Sequence, residues 1–272
     1  MKTSALLFLT EIMPEKRRLY GAVIKNKVFD GKTREHVFQT LKKAGVDGVE
    51  ILLPQFSKVT DKELTELKEV LATYHMPVLS LHQKLRFFTK TKIAEVTQLF
   101  HQAEMLGAKV IVLHMSSVGK QLFDKSYIEK LHELQEKYGI TIGFENREKQ
   151  FWNLNSKYGW DEDSFPEILK KNNLHLTLDT THLAQSGGDI IQFFKKNKDR
   201  IVNIHISDYQ DHAFNNSLRP FRFKHMPIGK GKLPMKEFID MLHKEDYKGL
   251  VTMEMHTDLD GICDGAKQIK KD

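Results

Sequence analysis

The chain has 272 residues, a formal net charge of +6 and one cysteine, Cys263. That length suits a single α/β barrel, for which about 250 residues are typical. A lone cysteine excludes an intramolecular disulfide and fits a reducing, cytoplasmic setting. No run approaches the roughly 18 uncharged apolar residues of a membrane-spanning helix, so no membrane partner is expected. The apolar start of the chain is broken by Thr10 and Glu11 with no small-residue cleavage site beyond, which reads as non-secretory. The lysines are spread along predicted helix faces (Lys42, Lys43, Lys68, Lys130, Lys195, Lys196). That reads first as a solvated basic surface, with a groove for nucleic acid or phosphorylated substrates left open.

Residues 1–18 do not fit the repeat that follows and are expected to form an N-terminal extension that caps the barrel floor or adds a strand. The barrel domain is then expected over residues 19–272. LYGAVI (19–24) reads as its first strand, and Val37, Phe38 and Leu41 mark a helix ending at Gly45. GVEILL is the second strand, and Asp61 is expected to cap a helix striped by Leu64, Leu67, Val70 and Leu71. PVLSLH, KVIVLH and ITIGFE follow as strands, separated by helices from Thr91 and Ser126. A long polar and aromatic loop comes after Glu145, then a helix from Ser164, the strand LHLTLD, a helix from Asp189 and the strand IVNIHI. A second long loop covers Tyr209 to Lys232, and a helix from Pro234, the strand GLVTME and a helix from Asp260 to Lys270 complete eight units. Near-continuous apolar strands alternating with helices predict a single-domain (β/α)8 TIM barrel. An open doubly wound sheet lacks the Gly-rich loop it would need after its first strand.

The stretch HLTLDTTHLAQSGGD (175–189) shows where chemistry is expected: an apolar alternation ends on Asp179, and His182 follows at the start of a loop. The same placement recurs at Glu50, His82, His114, Glu145, His205 and Glu254, with intervals of 32, 32, 31, 34, 26 and 49 residues through the series including Asp179. A βα unit occupies about 30 residues, so one polar residue recurs per unit, and in a barrel these strand ends converge on one mouth. Carboxylates crowded into a low-dielectric pocket repel one another unless a cation neutralises them. With imidazoles among them and no thiolate, the donor set suits Mn²⁺, Mg²⁺, Co²⁺ or Zn²⁺ rather than a structural zinc.

The series Glu145 in FEN, Asp179 and His182 in LDTTH, His205 and Asp208 in HISD, His225 to Gly231 in HMPIGKG, and Glu254 in TMEMH resembles the xylose-isomerase-like TIM-barrel superfamily over roughly residues 19–260. That superfamily groups sugar and sugar-phosphate isomerases and epimerases with endonuclease IV. The resemblance implies one divalent ion held by Glu145, Asp179, His205 and Glu254, with His182 contacting the substrate. It further implies that Glu145 and Glu254 form an acid/base pair, moving a proton next to a sugar carbonyl through a metal-stabilised enediolate. Asp208 and His225 are taken as substrate-side residues. Glu50 is expected to bind hydroxyls, to position a neighbour, or to pair with a lysine at the barrel rim.

A second reading is a nuclease acting at abasic sites in DNA. The resemblance to endonuclease IV implies that His82 and His114 would share a second metal with Glu145, and that a third would need His182, an Asp and His225. Phe223 stands two residues before His225 and Lys230 replaces the acidic residue usual in the Gly-x-Gly turn, so that third site is expected to fail. His82 and His114 would otherwise hydrogen-bond the sugar. A third reading, a non-catalytic ligand-binding barrel, predicts a broken metal set, whereas all four members are present. Lys84, Arg86, Phe87 and Phe88, the loop residues Arg147, Arg219, Arg222 and Lys230, and Trp152 and Trp160 are further candidates for substrate contact or loop packing. The expected partner is a small-molecule sugar, with nucleic acid only under the nuclease reading. Pairing of barrels into a homo-oligomer is left open.

Overall fold

A computed structural model describes residues 1–13, 28–53, 59–83, 91–114, 122–146, 164–210 and 225–271. Eight parallel strands close into a barrel in sequence order. They are β1 Lys2–Phe8, β2 Gly48–Leu52, β3 Val78–His82, β4 Val110–His114, β5 Thr141–Glu145, β6 His175–Asp179, β7 Ile201–Ile206 and β8 Leu250–Met253. β1 pairs with both β2 and β8, which closes the ring. The first strand therefore lies within the segment expected to be an N-terminal extension, and it is Lys2–Phe8 rather than LYGAVI. Residues 19–24 lie outside the described residues. The misassignment has a physical origin: LLF and LYGAVI are both short apolar runs, and periodicity alone does not say which one completes the ring.

Besides the short helical segments Leu9–Ile12 and Lys198–Arg200, the helices of the described residues are α1 Arg34–Lys43, α2 Asp61–Thr73, α3 Ile93–Leu106, α4 Lys125–Tyr138, α5 Ser164–Lys171, α6 Thr180–Gln185, α7 Ile190–Asn197, α8 Met235–Lys244 and α9 Leu259–Lys270. Their ends follow local chemistry. Asp124 and Asp189 each accept two backbone N–H groups as N-caps of α4 and α7, and Gly107 and Gly139 end α3 and α4 in the left-handed conformation. Thr60, rather than Asp61, caps α2, with Glu63 completing a capping box. Among the described residues no helix is long and apolar enough to cross a membrane.

Side chains alternate across each strand. In β5, Ile142 and Phe144 face the helices while Gly143 and Glu145 face the barrel axis, and in β7 Ile204 and Ile206 oppose Asn203 and His205. The outward residues and the helix stripes form a continuous apolar core, with Phe38, Phe100, Phe144, Phe194 and Phe238 fully buried. The inward residues are polar near the C-terminal strand ends. Register levels them: His114 pairs with Glu145, and Asp179 with His205. Glu50 pairs with Ser80, so it sits one layer deeper than His82, which pairs with Leu52. The expectation that Glu50 stands at a strand end is corrected accordingly.

Candidate functional site

β5, β6 and β7 deliver Glu145, Asp179 and His205 at adjacent positions of the ring, and Glu254 follows directly after β8. One donor atom from each of Glu145, Asp179, His205 and Glu254 falls in a set whose members all lie within 4.8 Å of one another. His205 Nδ1 is 2.7 Å from Glu254 Oε2 and 3.4 Å from Glu145 Oε1. Both Glu145 oxygens, Asp179 Oδ2, Glu254 Oε2 and His205 Nδ1 are buried, and among the described residues none of them has an aligned hydrogen-bond partner. Buried polar atoms left unsatisfied are costly, and a cluster to which each of the four residues brings one such donor atom is the arrangement a divalent cation would satisfy. The donors, three carboxylates and one imidazole, are of the hard and borderline type that Mn²⁺, Mg²⁺, Co²⁺ and Zn²⁺ accept. The residues present therefore fit the ion that the sequence pattern implies.

The electrostatics describe the same need for positive charge. Burial pushes Asp179 up to about 7, and Glu254 and Glu145 add to the rise while His182 and His205 oppose it. Burial disfavours the charged form of His205 too, yet Glu50 and Glu254 overcome it and hold the imidazole well above its ordinary range. Burial likewise opposes ionisation of Glu145, but His114 prevails and keeps its carboxyl well below the usual carboxylate range. Without an ion, the proton on His205 supplies the charge that the surrounding carboxylates demand.

Asp179 serves two purposes, one per oxygen. Its Oδ1 accepts the His182 N–H at 2.7 Å and so caps α6, a helix not expected from the sequence, while Oδ2 faces the centre. Asn146 fixes the backbone that carries this carboxylate: Asp179 N donates to Asn146 Oδ1 at 2.7 Å, and Asn146 Nδ2 donates to the Asp179 backbone carbonyl at 3.0 Å. The Asn146 carbonyl also lies 3.1 Å from His182 Nδ1. Asn146 was overlooked as a positioning residue, although its place directly after Glu145 in FEN pointed to it.

His82 and His114 flank Glu145. His114 Nε2 is 2.9 Å and His82 Nε2 is 3.7 Å from Glu145 Oε2, and His82 Nδ1 lies 2.7 Å from the Gln83 carbonyl. His82, His114 and Glu145 form a second set of converging donors, Asp179, His182 and His225 a third, and Glu50, His82 and His205 a fourth. In the third set a carboxylate comes from Asp179, where Phe223 removed the one expected upstream of His225. Ser207 Oγ lies 3.2 Å from His225 Nδ1, and burial pulls His225 down to about 3, so its ring is neutral. His256 completes that corner with its ring 5.2 Å from His225.

Two sequence expectations change. Asp208, expected on the substrate side, has both oxygens engaged by backbone: its Oδ1 accepts N–H from Tyr209 at 2.7 Å and Leu233 at 3.0 Å, and its Oδ2 accepts from Gly229 at 3.0 Å and Gly231 at 2.8 Å. It is a clasp for the HMPIGKG loop, and a Cβ on Gly231 would strike its carboxylate. Glu50 is fully buried and, among the described residues, pairs with no lysine. Its Oε2 accepts from Ser80 Oγ at 2.5 Å and Asn203 Nδ2 at 2.9 Å, and its Oε1 is 2.9 Å from His205 Nε2. Ser80, Asn203 and Thr252 were not singled out, though each stands two residues before His82, His205 or Glu254 and so shares its inward face. Lys84, Arg86, Phe87, Phe88, Arg147, Trp152, Trp160, Arg219, Arg222 and Phe223 lie outside the described residues.

Among proteins of similar sequence, an uncharacterised protein of Mycobacterium leprae is 23% identical over 245 residues, covering 82% of this chain and 84% of its own. An inosose isomerase of Halalkalibacterium halodurans is 24% identical over 231 residues, covering 79% of each. Among solved structures, the 3-keto-D-glucoside 4-epimerase of E. coli superposes with a TM-score of 0.68 at 14% identity, covering 99% of both chains. The pattern of one family, described as the xylose isomerase-like TIM barrel, matches residues 38–272. The closed eight-stranded barrel and the order of its motif residues agree with that match, and the chain belongs to the xylose isomerase-like TIM barrel family.

Proposed function

We propose that the chain is a divalent-metal-dependent isomerase or epimerase acting on a sugar or sugar derivative in the cytoplasm. The observation that carries this reading is the convergence of Glu145, Asp179, His205 and Glu254, with buried oxygens that no hydrogen bond from the described residues satisfies. Relatives named for inosose isomerisation and keto-glucoside epimerisation support it.

A divalent ion held by these four residues would supply positive charge beside the carbonyl and hydroxyl oxygens of a bound sugar, which acidifies the carbon between them. Glu145 and Glu254 are the proton-transfer pair. Both are ionised by their imidazole neighbours, so either can take the proton from carbon as a base; that carboxyl then returns it, or the opposite one delivers a proton it has taken from solvent. His182 is held by the Asn146 carbonyl and the cap on Asp179, which sets its ring for substrate contact. His225, kept neutral by burial, offers an uncharged hydrogen-bonding edge to a sugar hydroxyl. The test is a panel of keto- and aldo-sugars incubated in D₂O with added Mn²⁺ or Co²⁺. Deuterium incorporated at the carbon next to the carbonyl is expected, and its absence across the panel, with metal bound, would remove the reading.

The second donor set, His82, His114 and Glu145, favours one further reading, an endonuclease-IV-like nuclease with more than one metal acting at abasic sites. His114→Ala separates the two. Under the isomerase reading metal stoichiometry stays the same, and under the nuclease reading it falls.

A further inference from the structure

Glu50 is a charged residue that the proposed proton transfer does not use, and it is fully buried one layer beneath the metal ligands. Its surroundings are built for one orientation. Oε2 takes the hydroxyl of Ser80 and the amide of Asn203, whose own oxygen accepts from Thr252 Oγ1 at 2.9 Å, and Thr252 is 2.7 Å from Ser4 Oγ. This polar plug spans β1, β2, β3, β7 and β8. The other oxygen, Oε1, lies 2.9 Å from His205 Nε2. Among the described residues neither atom has a hydrogen-bond partner elsewhere, and the pair is close in distance without being aligned, so a small rotation of the ring would let Nε2–H donate to Oε1. The opposite ring atom, Nδ1, faces Glu145 and Glu254.

We propose that Glu50 is the positioning residue of the centre: it holds the Nε2 proton of His205, which leaves the Nδ1 lone pair as the metal ligand. An imidazole has two nitrogens, and the one that keeps its proton is decided by the acceptor beside it. A carboxylate there also raises the basicity of the ligating nitrogen. The inference rests on the metal-dependent reading above and adds a residue that sets the ligand's tautomer and aim.

Glu50→Gln tests it without changing side-chain size. Ser80 and Asn203 both donate toward the Oε2 position, so the amide oxygen is drawn there and the NH₂ is turned toward His205. Nε2 must then accept, and the proton moves to Nδ1, where it blocks the metal. Isothermal titration with Mn²⁺ and Co²⁺ is expected to show binding to the wild type and a roughly 10- to 100-fold loss in the variant, the usual effect of removing such a partner. A thermal melt of both metal-free proteins separates this loss from unfolding. Equal affinity in a folded variant would overturn the inference while leaving the metal reading intact, and no binding by wild type would overturn the metal reading itself. A fall from two ions to one would make Glu50 a direct ligand with His82 and His205, which also contradicts a positioning role. Should the variant not fold, ¹⁵N-histidine spectra of zinc-loaded wild type decide: Nε2 protonated supports the inference, and Nδ1 protonated overturns it.

Discussion

Asp208→Asn probes whether that residue holds the loop or meets the substrate. Four backbone N–H groups converge on its two oxygens. An asparagine keeps one oxygen, so one pair of donors, Gly229 and Gly231 or Tyr209 and Leu233, must face an NH₂ group instead. A hydrogen bond to a charged acceptor contributes about 1.5–3 kcal/mol, so losing two gives roughly 3–6 kcal/mol. The glycine pair is only partly buried and water can replace part of that loss, which lowers the figure to about 2–3 kcal/mol. At about 2–4 °C per kcal/mol for a domain near this size, the melting temperature should fall by about 5–10 °C. Calorimetry measures the fall, and limited trypsin digestion should show faster cleavage at Lys230 and Lys232. An unchanged melting temperature and cleavage rate, together with a rise in KM alone, would refute the clasp and restore a substrate-side role.

The remaining predictions concern the centre itself. Glu254→Gln should lower turnover by at least about 10²-fold, the scale of lost acid–base catalysis, and should weaken metal binding as well; full activity would remove both assignments. Metal binding should release protons, because His205 is held well above its ordinary range and Asp179 titrates at about 7. Both groups are protonated in the metal-free site below those values and must give the proton up to ligate, so affinity should rise with pH from 6 to 8. Titration in buffers of differing ionisation enthalpy would detect the release, and a flat affinity profile would contradict it. In the metal-free protein the raised folded value of Asp179 makes the fold bind more protons than the unfolded chain between about pH 4 and 7, so its contribution to stability falls as pH rises through that window. Saturating metal at about 100 times its dissociation constant should then add about 2.7 kcal/mol, read as a higher melting temperature that a chelator reverses.

Much of this site was legible from one-per-unit spacing of acidic and histidine residues, since parallel βα units of about 30 residues bring successive strand ends together whatever their loops contain. Glu145, Asp179, His205 and Glu254 were found that way, and the structure does bring them together. Glu50 obeyed the same spacing but sits a layer lower, because the register of β2 against β3 shifts near Val49 and spacing carries no register. Asp208 looked like a site residue because acidic residues after a strand usually face the mouth. Three of its four N–H partners come from a loop 21 to 25 residues downstream, and that contact has no local sequence mark. The first strand was misplaced for a related reason: closure depends on pairing with β8, more than 240 residues away.

The most direct test of the account is the metal content per chain of protein purified without chelator, measured by elemental mass spectrometry before and after exchange against Mn²⁺, Co²⁺, Mg²⁺ and Zn²⁺. The account predicts about one ion per chain in the native protein, lost in Glu254→Gln and Asp179→Asn, as a single four-ligand centre requires. A protein that takes up no ion under any of these conditions would contradict it and leave a non-catalytic binding barrel.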